Sequence, residues 1–120
     1  MKPKLLVIDD EEGVLDMIRS HFEVRGFEVH TASDGKEGVE ACRCVLPDVI
    51  LLDLKMKEMD GDEAMPLLRA LVPKAKIFIV SAYQDDVMEK RIANLGVNAY
   101  FEKPVSILDL QNAIQKALQL

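Results

Sequence analysis

The sequence contains no tryptophan, and aromatic residues make up only 5% of its 120 positions. Because hydrophobic residues still amount to 49%, any core must be mostly aliphatic. No apolar run approaches the roughly 20 residues that a membrane-spanning helix needs. The chain turns acidic soon after a short apolar run at its start, which is too early for a signal peptide. These absences predict a cytoplasmic protein that does not enter a membrane.

Basic residues are outnumbered, with 15 Lys and Arg against 21 Asp and Glu and a net charge of -6. Since phosphate contacts need clustered Lys and Arg, we expect no direct binding of nucleic acid by this domain. Cysteine is also rare: Cys42 and Cys44 lie two positions apart on one predicted helix, and no other cysteine exists to complete a metal site. We therefore expect reduced thiols, with Cys42 facing the core.

Five apolar segments alternate with five amphipathic segments, a pattern typical of strands and helices in a parallel α/β sheet. The predicted strands are Lys4–Ile8, Phe27–Ala32, Val49–Asp53, Lys76–Ser81 and Asn98–Glu102. The predicted helices run from about Glu11 to Val24, from an Asp34 cap to about Val45, from an Asp60 cap to Pro73, from about Asp85 to Leu95, and from a Ser106 cap through Leu118.

Strand–helix alternation with short connections favours a flavodoxin-like, doubly wound parallel sheet in the order 2-1-3-4-5 with five flanking helices. We expect one domain over residues 1–120, with the half-polar strand 2 at an edge. Asp34 and Asp60 each precede a glutamate by three positions, which is the spacing of a capping box. Pro66 lies inside the third helix, where we expect a kink or a delayed helix start.

Polar side chains follow four of the five predicted strands. Asp9 and Asp10 end strand 1, Asp53 ends strand 3, and strands 4 and 5 end in Ser81 and Lys103. Taken singly, such residues are usually turn residues, helix caps or solvated lysines. In a doubly wound sheet, however, the carboxyl ends of the strands form one ligand crevice, with the switch point between strands 1 and 3. The joint pattern therefore predicts a functional site at this edge.

The three acids of this predicted site would repel one another. Two unit charges about 4 Å apart cost on the order of 4 kcal/mol at an effective dielectric of 20. The cluster is tolerable only if protons are retained or a cation is supplied. Lys103 is one candidate cation, and a divalent metal is the other. Ligands that are all oxygen suit Mg²⁺ better than zinc or copper.

Four segments, taken in order, resemble the receiver domain of two-component response regulators. They are VIDDEE (Val7–Glu12), LLDLKMKEMDG (Leu51–Gly61), VSAY (Val80–Tyr83) and YFEKP (Tyr100–Pro104). The resemblance covers nearly the whole chain. It implies the following roles: Asp53 as phosphoacceptor, Asp10 as a direct and Asp9 as a water-mediated ligand of Mg²⁺ or Mn²⁺, the backbone carbonyl of Lys55 as a further ligand, Lys103 as the family's lysine, Ser81 as the switch hydroxyl and Tyr100 as the switch aromatic.

The resemblance also implies a function. Asp53 would take a phosphoryl group from a histidine kinase or phosphotransfer protein in a metal-dependent reaction. The protein would be a signalling switch that catalyses its own phosphorylation and dephosphorylation. The surface of helix 4, strand 5 and helix 5 would then act on an output domain or target protein. A cis Lys103-Pro104 bond is expected from the resemblance.

Two features depart from the usual pattern of this family, and two further residues flank the site. Lys57-Glu58 replaces a Pro-Gly pair in the loop after Asp53. Lys55 and Tyr83 flank the site where they would border the path of attacking water. Asn98-Ala99 replaces an acidic pair, which argues against one symmetric type of dimer but leaves a homodimer open.

The same residues argue against two other functions of this fold class and leave one alternative open. A haloacid dehalogenase-type enzyme needs a second acid two residues after its nucleophile, and that position is Lys55. A flavin-binding module needs a phosphate loop after strand 1, but the acidic residues 9–12 would repel phosphate. A degenerate receiver that docks proteins independently of phosphorylation is the remaining alternative.

Overall fold

The computed structural model of the chain describes residues 2–56, 58–82 and 86–120. Within the fourth helix, the side chains at positions 88, 91 and 92 are also outside this description. The predicted loop residue Lys57, the flanking residue Tyr83 and the predicted helix start at Asp85 therefore lie outside the described residues.

Five strands form one parallel sheet in the order β2-β1-β3-β4-β5. Their bounds are β1 Lys4–Ile8, β2 Glu28–Ala32, β3 Val49–Leu52, β4 Lys76–Ser81 and β5 Val97–Glu102. The predicted order is confirmed, and β2 lies at an edge, as its polar alternation indicated. β1 and β3 are neighbours although they are not consecutive in the chain, so the crevice of the sheet opens between their carboxyl ends.

Helices of the described part of the chain follow each strand in turn. Their bounds are α1 Glu12–Glu23, α2 Gly35–Val45, α3 Gly61–Leu71, α4 Asp86–Ala93 and α5 Ile107–Leu118. None of the helices in these ranges combines the length and the apolarity that a bilayer crossing requires.

Two apolar clusters cover the two faces of the sheet. One face packs β1, β3 and β4 against α2 and α3, and Cys42 is fully buried there as a free thiol, as predicted. The other face packs the alternate residues of the same strands against α1 and α5. The strands β1 and β3 are buried along nearly their whole length, so their carboxyl ends are held rigidly in register.

Of the two predicted aspartate caps, the one at Asp34 is confirmed and the one at Asp60 is not. Asp34 caps α2, since its carboxylate accepts the Glu37 N–H at 2.7 Å. Asp60 precedes α3 but does not cap it with its side chain, which accepts the N–H of Met56 at 2.8 Å instead. The expected delayed start at Pro66 is wrong, because α3 begins at Gly61 and the proline lies on its exposed side.

Candidate functional site

The register of the sheet brings the predicted acids together. Ile8 of β1 pairs with Leu52 of β3, so Asp9 and Asp53 leave the sheet side by side. The backbone N–H of Asp53 donates to the carbonyl of Ile8 at 3.0 Å, which continues the ladder by one further bond. Two neighbouring buried apolar strands, β1 and β3, therefore fix the backbone of both aspartates.

The Asp53 carboxylate is buried, with only 5% of the residue exposed. Its Oδ1 accepts a hydrogen bond of 2.7 Å from the Ser81 hydroxyl and one of 3.4 Å from the Lys55 N–H. Its Oδ2 lies 3.3 Å from the ammonium of Lys103. The ends of β3, β4 and β5 thus converge on one carboxylate, as the pattern of strand ends predicted.

Asp9 and Asp10 complete an acidic cluster with Asp53. One carboxylate oxygen from each of the three lies within 4.8 Å of the others. Asp9 is buried, and its Oδ1 accepts the Glu11 N–H at 2.9 Å. Asp10 is exposed. Carboxylate oxygens are the donors that Mg²⁺ and Mn²⁺ prefer, and this cluster contains no thiol or imidazole, so the residues present fit a hard divalent cation.

Lys103 is the cation at the centre of the described contacts. Its ammonium lies 2.8 Å from Asp9, 2.7 Å from Glu11 and 3.3 Å from Asp53. Burial alone would lower the pKa of Lys103, but hydrogen bonds to Asp9 and Glu11 and the charge of Asp53 outweigh burial and raise it. The ammonium therefore stays charged throughout the neutral range. The Lys103-Pro104 bond is cis, as predicted.

Burial also governs the charge of Asp9. It raises the pKa of the Asp9 carboxyl, and the nearby charge of Asp53 adds to the rise. The hydrogen bonds from Lys103 and from the Glu11 N–H oppose the rise only in part. One lysine thus compensates the clustered acids incompletely, which is the condition in which such a site favours an additional cation.

Glu11 is the contact that sequence reasoning missed. The sequence places Glu11 at the start of the first predicted helix and among the acidic residues 9–12 that would repel phosphate, and it indicates no partner for the side chain. In the structure its carboxylate contacts Lys103 from a position 92 residues earlier in the chain. Its place directly after two site aspartates was the available signal, but sequence does not tell where an exposed, flexible side chain points.

Ser81 and Tyr100 border one cavity of about 190 Å³ between β4, β5 and α4. Tyr100 lies on its outer side with 41% of the residue exposed, and its hydroxyl donates to the Glu89 carbonyl at 3.4 Å. Burial and the charge of Glu89 raise the pKa of Tyr100. The two predicted switch residues therefore share a cavity, while their roles stay a prediction.

A second, open cavity of about 300 Å³ lies directly over the acids. It is lined by Asp10, Glu11, Asp53, Lys55, Ser81, Ala82 and Lys103. The Lys55 main chain borders it through the N–H that faces Asp53, while the Lys55 side chain lies 3.8 Å from Asp60. The predicted ligand role of the Lys55 carbonyl stays a prediction. A small anion and a hydrated cation could reach Asp53 from this side.

Comparison with known protein families identifies one family over most of the chain. The family model of the response regulator receiver domain matches residues 5–115. This range begins inside β1 and ends inside α5, so it contains every residue of the site described above.

Individual relatives agree with this match. The chain is 32% identical over 117 residues to the regulatory protein AtoC of Escherichia coli, covering 98% of this chain and 25% of AtoC. It is 28% identical over 120 residues to sporulation initiation phosphotransferase F of Bacillus subtilis, covering 100% of this chain and 97% of that protein. The chain thus spans a quarter of the one relative and nearly the whole of the other.

Solved structures show the same fold. A crystal structure of a CheY-like response regulator receiver domain protein from Methanospirillum hungatei JF-1 superposes with a TM-score of 0.95. The two chains are 28% identical, and the superposition covers 99% of this chain and 95% of the other.

Proposed function

This chain belongs to the family of response regulator receiver domains of two-component systems, and from that premise we propose that Asp53 is its phosphoacceptor. The donor would be the phosphohistidine of a histidine kinase or phosphotransfer protein. One observation carries the proposal: the buried Asp53 carboxylate is contacted by the Ser81 hydroxyl and the Lys103 ammonium and lies beside two further acids.

The proposed reaction is a phosphoryl transfer to a carboxylate nucleophile. An Asp53 oxygen attacks phosphorus, an O–P bond forms, the N–P bond breaks, and the electron pair leaves with the imidazole nitrogen. Because the transferred group is loosely bonded to both partners, catalysis consists mainly of positioning and charge compensation. Lys103 supplies a fixed positive charge for the phosphoryl oxygens, and the Lys55 N–H supplies a backbone donor at the same carboxylate.

Asp9, Asp10, Asp53 and the Lys55 carbonyl would hold Mg²⁺ or Mn²⁺. The bound ion would offset the repulsion between the anionic nucleophile and the anionic phosphoryl group. The acidic cluster supports this assignment because one oxygen from each of its three carboxylates lies within 4.8 Å of the others.

We further propose that phosphorylation changes the surface formed by α4, β5 and α5. A phosphoryl group brings roughly −1.5 to −2 charge and three acceptor oxygens to Asp53. Ser81 would leave Asp53 to donate to these oxygens, and Tyr100 would turn inward. The cavity of about 190 Å³ between them supports this exchange, since it offers space next to both side chains. An output domain or a separate target would bind the altered surface, and a cytoplasmic location belongs to the same proposal.

Intact-mass measurement tests the phosphoacceptor directly. After incubation with acetyl phosphate and Mg²⁺, we expect a species heavier by about 80 Da, the mass of one phosphoryl group. Asp53→Asn should remove this species while circular dichroism stays unchanged, because the amide keeps the shape of the carboxylate. If the wild-type protein gains no mass, or if the Asp53→Asn variant gains the same mass, the proposal is overturned. The first result would favour a docking module that works without phosphorylation.

A further inference from the structure

The three contacts of Lys103 differ in how easily each can be released. An ammonium has three N–H donors, and among the described residues its partners are Asp9, Glu11 and Asp53. The side chains of Asp9 and Asp53 are only 3% and 6% exposed, whereas that of Glu11 is 59% exposed. Water can therefore replace Lys103 at Glu11 far more readily than at the two buried carboxylates.

The backbone of Glu11 presents this side chain to Lys103. Its N–H donates to Asp9 at 2.9 Å, and its carbonyl accepts the N–H groups of Val14 and Leu15 at the start of α1. Glu11 occupies the N-cap position of α1, but its side chain makes no capping bond to the helix. The carboxylate is thus available to the lysine because the helix does not use it.

A phosphoryl group on Asp53 would need donors that are already engaged. Its three oxygens are strong acceptors, and Lys103 is the cation within reach of the Asp53 carboxylate in the described part of the site. One of the existing contacts must then weaken. Losing the Asp9 contact would leave a buried carboxylate without its cation, which is costly, whereas Glu11 can be rehydrated.

We propose that Glu11 is a positioning residue that holds Lys103 in the unphosphorylated protein and releases it to the phosphoryl group. The inference rests on the proposed phosphoacceptor role of Asp53. Glu11 competes with the incoming anion for the same ammonium and also adds negative charge beside its path. It therefore restrains phosphorylation, and its removal speeds the reaction.

Kinetics of phosphorylation by acetyl phosphate test this role. In Glu11→Gln we expect the second-order rate constant to rise about two- to fivefold, the range set by the modest strength of a solvent-exposed ion pair. The rate should increase most at low concentrations of acetyl phosphate, because the variant binds this anion more tightly. Glu12→Gln is the matched control: it removes the same charge from the next residue, which is exposed in the first turn of α1 and makes no described contact with Lys103. It should change the rate much less.

A second measurement needs neither metal nor phosphoryl donor. In the metal-free protein, the Lys103 ammonium should give a slowly exchanging ¹H–¹⁵N signal that exchanges several-fold faster in Glu11→Gln and not in Glu12→Gln. Equal exchange in wild type and Glu11→Gln would overturn the contact. Equal rates of phosphorylation in the two glutamine variants, or a slower rate in Glu11→Gln, would overturn the restraint. If the wild-type protein takes no phosphoryl group, the proposed function is overturned and this role of Glu11 with it. If the wild-type protein is phosphorylated but Glu11→Gln changes neither the rate of phosphorylation nor the exchange of the Lys103 ammonium, only the role of Glu11 is overturned.

Discussion

At the carboxyl ends of the strands the charged side chains contact chiefly one another, whereas at the amino ends they contact the backbone. We call these two regions the carboxyl rim (Asp9, Glu11, Asp53, Ser81, Lys103) and the amino rim (Lys4, Asp48, Arg69). In the carboxyl rim, a single ammonium lies within 3.3 Å of three carboxylates. In the amino rim, the guanidinium of Arg69 donates to carbonyls at 2.7 to 3.1 Å, those of Val72, Pro73, Ala75, Leu95 and Gly96.

The two rims differ in whether their side chains stabilise the fold or take part in the proposed reaction. A side chain that satisfies backbone groups ties elements together, and its partners cannot move without unfolding the local structure. Charges that are compensated chiefly by other charges can be redistributed when a new ion arrives. Arg69 links the end of α3 to the segments that precede β4 and β5. The amino rim should therefore control stability, and the carboxyl rim should control reactivity.

The largest effect is expected from Lys103→Gln at the carboxyl rim. Loss of the ammonium should slow phosphorylation by acetyl phosphate about 100-fold, equivalent to about 3 kcal/mol of transition-state stabilisation. The rate should stay low across the neutral range, since the glutamine cannot acquire the missing charge. Intact mass against time measures the rate. Lys74→Gln, which removes one exposed positive charge near the amino rim, serves as the control and should react like wild type.

Arg69→Gln should reverse this pattern. We expect the free energy of unfolding to fall by about 3 kcal/mol, because several part-buried carbonyls lose a charged donor at once. The rate of phosphorylation of the folded variant should equal that of wild type. Urea unfolding gives the stability, and the acetyl phosphate assay below the transition gives the rate.

A matched arginine controls this experiment. Arg43 on α2 lies 3.7 Å from Glu40, and both side chains are mostly exposed. Arg43→Gln should therefore change the stability by at most about 0.5 kcal/mol. If both arginine variants lose equal stability, or if Arg69→Gln slows phosphorylation as much as Lys103→Gln does, the proposed division between the rims fails.

The sequence predicts where strands place the backbone better than it predicts the contacts of long or exposed side chains. The sheet order and the meeting of Asp9 with Asp53 were predictable, because buried apolar runs end at those acids and parallel strands align their ends. The contact of Glu11 with Lys103 was not, since it depends on the rotamers of two long side chains brought together by folding. The capping spacing predicted that the Asp60 carboxylate accepts from the Glu63 N–H. It accepts from the Met56 N–H instead, because of the path of the loop, which the sequence does not specify.

Pro66 is a second case in which the sequence did not predict the local structure. Its position predicted a kink or a delayed helix start, because a proline lacks the N–H that an interior position donates. The helix nevertheless runs from Gly61 to Leu71, with the proline on the exposed side. A carbonyl that lacks its helical donor on the exposed side can bind water instead. The hydrophobic periodicity of the sequence does not show whether this hydration is enough to keep the helix intact.

The smallest effects on the free energy of unfolding should come from neutralising one acid in each rim. The two substitutions should change this free energy in opposite directions. Burial, followed by the charge of Asp53, raises the pKa of Asp9 in spite of its hydrogen bonds from Lys103 and the Glu11 N–H. A carboxyl with a raised pKa in the folded protein contributes its full stability below its ordinary value of 3.8 and loses it as the pH rises through the folded value. At neutral pH the charged Asp9 therefore disfavours folding.

We accordingly expect Asp9→Asn to raise the free energy of unfolding of the metal-free protein at pH 7 by on the order of 1 kcal/mol. The gain should shrink as the solution is acidified and disappear below the ordinary pKa of the carboxyl. Asp48→Asn, whose carboxylate accepts the Lys4 N–H at 2.8 Å, should instead lose a few tenths of a kcal/mol at pH 7. Urea titrations at several pH values compare the two. Should Asp9→Asn lose stability at pH 7 as Asp48→Asn does, the charges of the carboxyl rim would be holding the fold together, and the contrast between the rims would not stand.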